Sequence, residues 1–216
     1  MEPNFLILNG KMARLWKSQF SKNDKILDIG CGSSPRYHKY IPSTVVCADK
    51  LGTESAHLLA DAKALPFKPS SFDGVVSVNA LYYCEEPRVA ISEFSKVLKK
   101  GGKLVMVTPF FYPIHDILHD KYRFTEYGLR EILDEGLSVE KIVPIGGMFS
   151  IPALLLHSIQ KGVALLFPKK IRPVVSVIMA LVLLPFSILG QLICLLDVLD
   201  KSGRFPIYYF TVARKK

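Results

Sequence analysis

Gly30 and Gly32 stand one residue apart in KILDIGCGSSP (25–35), behind a hydrophobic run that is broken by an acid, Asp28. Glycine at both positions admits backbone conformations and close approaches that side chains forbid. At the carboxyl end of a buried strand, such a loop lets a ligand rest against bare backbone. A second acid, Asp49, closes the next apolar run, STVVCADK (43–50). An acid at that place commonly takes a ribose diol through two hydrogen bonds, so a nucleoside derivative is expected.

The loop's details narrow the ligand. A dinucleotide fingerprint needs a glycine three positions after Gly32, where Pro35 stands, and no Gly-Lys-Ser/Thr phosphate loop is present. A nucleoside without a pyrophosphate fits better, and S-adenosyl-L-methionine is the obvious one. Cysteines at 31, 47, 84 and 194 lack metal-type spacing and read as reduced thiols of a cytosolic protein. His115 and His119 lie one helical turn apart without a convincing third ligand, so no metal is expected.

The elements that must position these residues alternate. Strands are expected at 25–30, 43–49, 72–79 and 102–109, with a helix over 85–100 whose basic end, Lys99-Lys100, suits a helix C-terminus. An entry helix near 10–20, a helix over 122–136 capped by Thr125 and ended by Gly136, and late strands at 138–147 and 205–215 complete the set. Alternating strands and helices imply a parallel sheet. The fold expected is α/β: a Rossmann-like, seven-stranded, mostly parallel sheet with helices on both faces. Residues 1–147 form the cofactor-binding core, 148–204 an apolar helical insert and 205–216 the final core strand.

In sequence, LDIGCGSSP, CADK, LLADAKALPF, FDGVVSVNALYYCEEP and VLKKGGKLVMVTP resemble the class I S-adenosylmethionine-dependent methyltransferases of the methyltransferase type 11 group. The resemblance covers roughly 24–135 and returns at 205–215. It implies that Asp28, Gly30, Cys31 and Gly32 surround the methionine part of the cofactor, and that Asp49 and Lys50 lie at the ribose. Asp61 and Ala62 would flank the adenine. Asn79 and Ala80 would face the sulfonium and the substrate. Ser34 stands where many members have a third glycine, which bears on the pose of the methionine carboxylate.

Residues 109–129 mix aromatics, acids, two histidines and an arginine, and resemble a bacterial subgroup with the pattern H-D-x-x-R-F-T-x-x-G-L. Displacement at a sulfonium has a good neutral leaving group, so placement of the nucleophile supplies much of the rate. A hydroxyl acceptor also needs a base, a role that suits histidine. His119 or His115 is the candidate, oriented by Asp120 or Asp116. Tyr83, Tyr122 and Arg123 are candidate substrate contacts, with loop-steadying the alternative for Arg123.

Net charge is +9, without Arg-rich blocks or aromatic interleaving. That favours an anionic partner, a membrane surface ahead of nucleic acid, and no nucleic acid is expected. The stretch 174–196 holds 23 uncharged residues, roughly 35 Å as a helix. One simple crossing would strand 205–215 on the wrong side of the bilayer, so a kinked helical pair dipping into one leaflet is expected. A buried cap, a dimer interface and a transmembrane hairpin are the alternatives. Methyl transfer to an amphipathic or lipid-linked acceptor, at oxygen, follows, on the inner face of the membrane with peripheral contact through 151–199. The alternatives are a soluble small-molecule methyltransferase using the insert as a lid or dimer surface, and a non-catalytic binding protein.

Overall fold

The computed structural model describes residues 6–114, 116, 118–134 and 136–216; His115 lies outside the described residues. The strands are β1 (Lys25–Ile29), β2 (Thr44–Asp49), β3 (Leu58–Leu59), β4 (Phe72–Val78), β5 (Leu98–Pro109), β6 (Leu137–Ile145) and β7 (Tyr208–Lys215). They form one seven-stranded sheet in the order β3-β2-β1-β4-β5-β7-β6. Its pairs from β3 to β5 are parallel, while β7 runs antiparallel between β5 and β6. The Rossmann-like expectation is met, with β7 inserted between its neighbours.

Helices α1 (Leu6–Trp16), α2 (Pro87–Val97), α3 (Glu126–Leu133), α4 (Ile151–Leu165) and α5 (Arg172–Ile193) divide between the two faces. Alternation along β5 decides the division, because successive side chains point to opposite sides. Leu104 and Met106 pack with Ile91 and Phe94 of α2 and with Leu129 and Leu133 of α3. Val105 and Val107 pack with Met12 and Trp16 of α1 and with Leu154 of α4. Thr125 caps α3, its hydroxyl accepting from Gly128 N at 3.0 Å.

The structure moves several expected boundaries: α3 ends at Leu133, ahead of Gly136, and β7 starts at Tyr208. α2 stops at Val97, and Lys99 and Lys100 belong to β5. The reason is pairing: Leu98 registers with Phe72, and both are buried. The entry helix lies earlier, at Leu6–Trp16, where Leu8, Met12 and Trp16 put one apolar side on the sheet. Between β1 and β2 the chain makes only a 3-10 turn, Arg36–Tyr40.

One edge of the sheet positions everything that follows. Gly30 N donates to Ala48 O at 2.8 Å, Asn79 N to Val107 O at 2.9 Å, and Phe110 N to Ile207 O at 2.8 Å. Ile207 N then donates to Ile145 O at 2.9 Å. The ends of β1, β2, β4, β5 and β6 therefore stand in a row with the start of β7.

Candidate active site

The glycine loop leaves β1 at this edge. Gly30 and Gly32 have φ of +73° and +64°, a region that disfavours any other residue. Their surroundings differ. A Cβ on Gly30 would lie 2.3 Å from Ala80 Cβ, whereas one on Gly32 would meet nothing within 4 Å. Protein packing thus accounts for the first glycine, and open space for a ligand remains at the second.

Three polar contacts hold the loop. Asp49 Oδ2 accepts from Gly32 N at 3.0 Å, and its Oδ1 accepts from Leu51 N at 2.9 Å. The Thr53 hydroxyl donates to Gly32 O at 2.8 Å. Each carboxylate oxygen of Asp49 keeps a second lone pair for a hydroxyl.

Asp28 is wholly buried. Its Oδ2 accepts from the Tyr37 hydroxyl and faces His38 Nε2, both at 2.6 Å, while Oδ1 has no hydrogen-bond partner. Burial pushes the carboxyl above the usual range, opposed by the bonds from His38 and Tyr37. Tyr37 and His38 escaped the sequence reading, which had placed no role on Arg36–Tyr40. The signal was an aromatic and an imidazole just beyond the glycine loop. Cys47 lies beside Asp28 and His38, with potential ligand atoms of the three within 4.8 Å of one another. Burial pushes the Cys47 thiol up to about 12. Cys31 is buried in the loop, its thiol likewise raised by burial.

Asn79 follows β4 at φ +51°, and its buried Oδ1 lacks a hydrogen-bond partner. Such a backbone costs energy in any residue but glycine. Ala80 packs under Gly30. Asp61 lies beyond β3, where Lys50 Nζ sits 2.9 Å from Oδ2 and Lys63 N donates to Oδ1 at 2.9 Å. These contacts, the backbone bond foremost, hold its carboxyl below the usual range. Lys50 therefore pairs with Asp61, and Ala62 is half-buried next to it. Leu51, 86% exposed beside Asp49, is a further apolar surface that the sequence reading missed.

The residues expected at the substrate fall into two groups. Asp120 does not orient His119: both its oxygens bind the Arg123 guanidinium, Oδ2 at 2.8 Å from Nη2. Arg123 also donates to Tyr112 O at 3.2 Å, so it staples the segment after β5. His119 is instead paired with Asp116, its Nδ1 3.3 Å from Oδ1. Tyr122 donates its hydroxyl to Glu85 O at 2.9 Å. Tyr83 stacks on Tyr82 with ring centroids 4.1 Å apart, in the turn just after Asn79–Ala80. Lys121 N and Tyr122 N both donate to Tyr82 O at 3.2 Å, which docks the histidine-bearing segment on that turn. A cleft of about 500 Å3 is lined by Ser33, Arg36, His38, Cys47 and His57.

A Rossmann-like sheet of this strand order, with a bare-backbone loop and an acid ending the neighbouring strand, is an arrangement that suits a nucleoside ligand. Residues 27–106 match the family model described as a methyltransferase domain. A demethylmenaquinone methyltransferase of Renibacterium salmoninarum is 32% identical over 120 residues, covering 50% of this chain and 49% of the relative. A malonyl-[acyl-carrier protein] O-methyltransferase of Herminiimonas arsenicoxydans is 33% identical over 104 residues, covering 43% and 40%. The chain thus spans about half or less of the length of these curated relatives. The structure of Haemonchus contortus phosphoethanolamine N-methyltransferase 2 in complex with S-adenosyl-L-methionine superposes with a TM-score of 0.58 at 16% identity, covering 96% of this chain and 52% of that one. Residues 27–106 are thus a methyltransferase-domain match within a fold shared with S-adenosylmethionine-dependent methyltransferases, which supports S-adenosyl-L-methionine as the cofactor.

The residues present fit that cofactor. Gly32 offers open backbone, and Asp28 Oδ1 and Asn79 Oδ1 are buried acceptors that lack donors. A buried acceptor without a donor costs roughly 1–3 kcal/mol, which a ligand ammonium or hydroxyl would recover.

Proposed function

We propose that this chain transfers a methyl group from S-adenosyl-L-methionine to an oxygen of an amphipathic or lipid-linked acceptor. The observation that carries methyl transfer is the match of residues 27–106 to a methyltransferase domain, with open space at Gly32 and two buried acceptors, Asp28 Oδ1 and Asn79 Oδ1, that have no hydrogen-bond partner. When bound, the cofactor supplies an electrophilic methyl on a good leaving group.

The chain's own residues bind and orient. Asp28, braced by Tyr37 and His38, offers Oδ1 to the cofactor's ammonium. Asp49 holds the ribose hydroxyls on the lone pairs that Gly32 and Leu51 leave free. Leu51 and Ala62 border the adenine, and Asp61 its amine. Asn79 and Ala80 face the reacting centre, with Tyr83 as the aromatic rim on the acceptor side. His119, steadied by Asp116, takes the proton of an acceptor hydroxyl.

Two observations support the acceptor class. The apolar insert leaves the same end of the sheet as the glycine loop, so an acceptor held near that insert is delivered at the end of the sheet where Gly32 lies. The relatives named above act, by their names, on demethylmenaquinone and on a malonyl group carried by acyl-carrier protein. The test is incubation with methyl-labelled cofactor and fractionated cell extract. Label in lipid-soluble product is expected. Label confined to water-soluble metabolites overturns the acceptor class, and no label with intact cofactor binding overturns catalysis.

A further inference from the structure

We infer that the α4–α5 hairpin is inserted in a lipid bilayer, its shaft among the acyl chains and its Lys169-Lys170 tip at the far headgroups. This inference stands apart from methyl transfer and does not rest on it.

Among the described residues, α5 turns no charged face to water. At about 100° per residue, Val174, Val177, Ile178, Leu181, Leu184 and Phe186 spread over about 200° of α5, and all are exposed. The serines of α5, Ser176 and Ser187, fall on the opposite side with Gly190, which packs on Ala153 of α4. A helix lying flat at an interface is amphipathic, with a charged face turned to water. A helix apolar all round is buried in protein or in lipid. Only 11% of the most apolar 18-residue window of Arg172–Leu199 is buried, so protein does not cover it.

Length and connectivity agree. α5 has 22 residues, about 33 Å, against a hydrocarbon layer of about 30 Å; α4 has 15, about 22 Å, and residues 166–171 carry the chain on to the tip. α4 runs out and α5 runs back, so the chain leaves β6 and returns to β7 on one side of the membrane, which leaves the sheet intact. A rigid seat joins the hairpin to that sheet edge. Asp197 Oδ1 accepts from Phe149 N at 3.0 Å and Ser150 N at 3.2 Å, and Asp200 Oδ2 accepts from Met148 N at 2.9 Å.

Charge points to anionic lipid. Between 151 and 196 there is no Asp or Glu. Lys169 and Lys170 are exposed at the tip, where the Arg172 guanidinium closes the turn by donating to Phe167 O at 3.2 Å. Lys201 and Arg204 flank the base, exposed. Lysines at such a tip extend their ammonium groups into the headgroups.

The test is detergent-free flotation of the full chain with phosphatidylcholine vesicles, with and without phosphatidylglycerol. The chain is expected to float with both, and more tightly with the anionic lipid. K169Q/K170Q is expected to weaken anionic binding by about fivefold for each cation removed. The variant F186W adds a second fluorophore, on the shaft, to the buried Trp16 of the core, and brominated acyl chains should quench the added emission. Recovery in the aqueous fraction, unquenched emission from residue 186, or a soluble dimer that ignores vesicles each overturns the inference. Calorimetry with S-adenosyl-L-methionine on V177S/L181S/L184S separates the two readings. Lost flotation with unchanged cofactor affinity supports insertion by an independent hairpin; lost cofactor affinity shows that the hairpin is part of the domain's own packing and counts against it.

Discussion

Val105 and Met106 of β5 are fully buried, whereas Val177 and Leu181 of α5, no more polar, are 60% and 66% exposed. Both segments are apolar runs. The strand is sandwiched between α2 and α3 on one face and α1 on the other, while among the described residues the hairpin joins the core at its base, through residues such as Leu154 and Cys194. The domain is also laced with ion pairs, including Lys50–Asp61, Lys99–Asp73 and Arg123–Asp120. Apolarity alone therefore does not state what a segment is buried in; the surrounding layers do.

Four measurements sharpen or break that contrast. The largest effect is expected from the core against the shaft: Leu104→Ala should cost about 2–5 kcal/mol in chemical unfolding, through lost transfer energy and a cavity. Leu181→Ala should change stability in water by no more than about 0.5 kcal/mol. Equal losses would mean that α5 is packed as tightly as the sheet.

Gly30→Ala is expected to cost roughly 2–4 kcal/mol, because its Cβ collides with Ala80 at φ +73°. Adding Ala80→Gly should recover the steric part and leave the conformational part. A Gly30→Ala variant as stable as the parent would remove the close approach.

Asp49→Ala should weaken S-adenosyl-L-methionine binding by roughly 1–3 kcal/mol in calorimetry, through lost charge-assisted hydrogen bonds. Its flotation with vesicles should not change.

The smallest effect concerns the start of β1. Lys99 Nζ lies 2.7 Å from Asp73, and Lys25 N donates to the same carboxylate. The ion pair with Lys99, and then the Lys25 bond, hold this carboxyl below its ordinary value of 3.8. The folded state thus favours the ionised form, so the contribution is full above that value and lost as pH falls through the lowered one. Asp73→Ala should cost about 0.5–1 kcal/mol at neutral pH. The loss should shrink steadily as urea unfolding is repeated in more acid buffer, and a pH-independent loss would assign the effect to packing.

Much of the fold was legible because alternation and turn residues act locally. The strand ending at Ile29, the cap at Thr125 and the positive φ of Gly30 and Gly32 follow from side-chain type and backbone freedom. The helix end at Lys99-Lys100 was misread because pairing of Leu98 with Phe72, 26 residues away in the chain, outweighs a helix's preference for a basic C-terminus. The bracing of Asp28 by Tyr37 and His38 was illegible because a 3-10 turn has no strong pattern.

The amino-acid order by itself determined where bare backbone and acids fall at strand ends, and that a long uncharged segment interrupts the last two strands. Those are matters of residue type and short-range sterics. Only the tertiary structure decided that Ala80 fills the space over Gly30, that Asp120 serves Arg123 and not His119, and that the apolar hairpin stands clear of the sheet. Each of these depends on which distant side chains packing brings within a few ångströms, and no local preference encodes that.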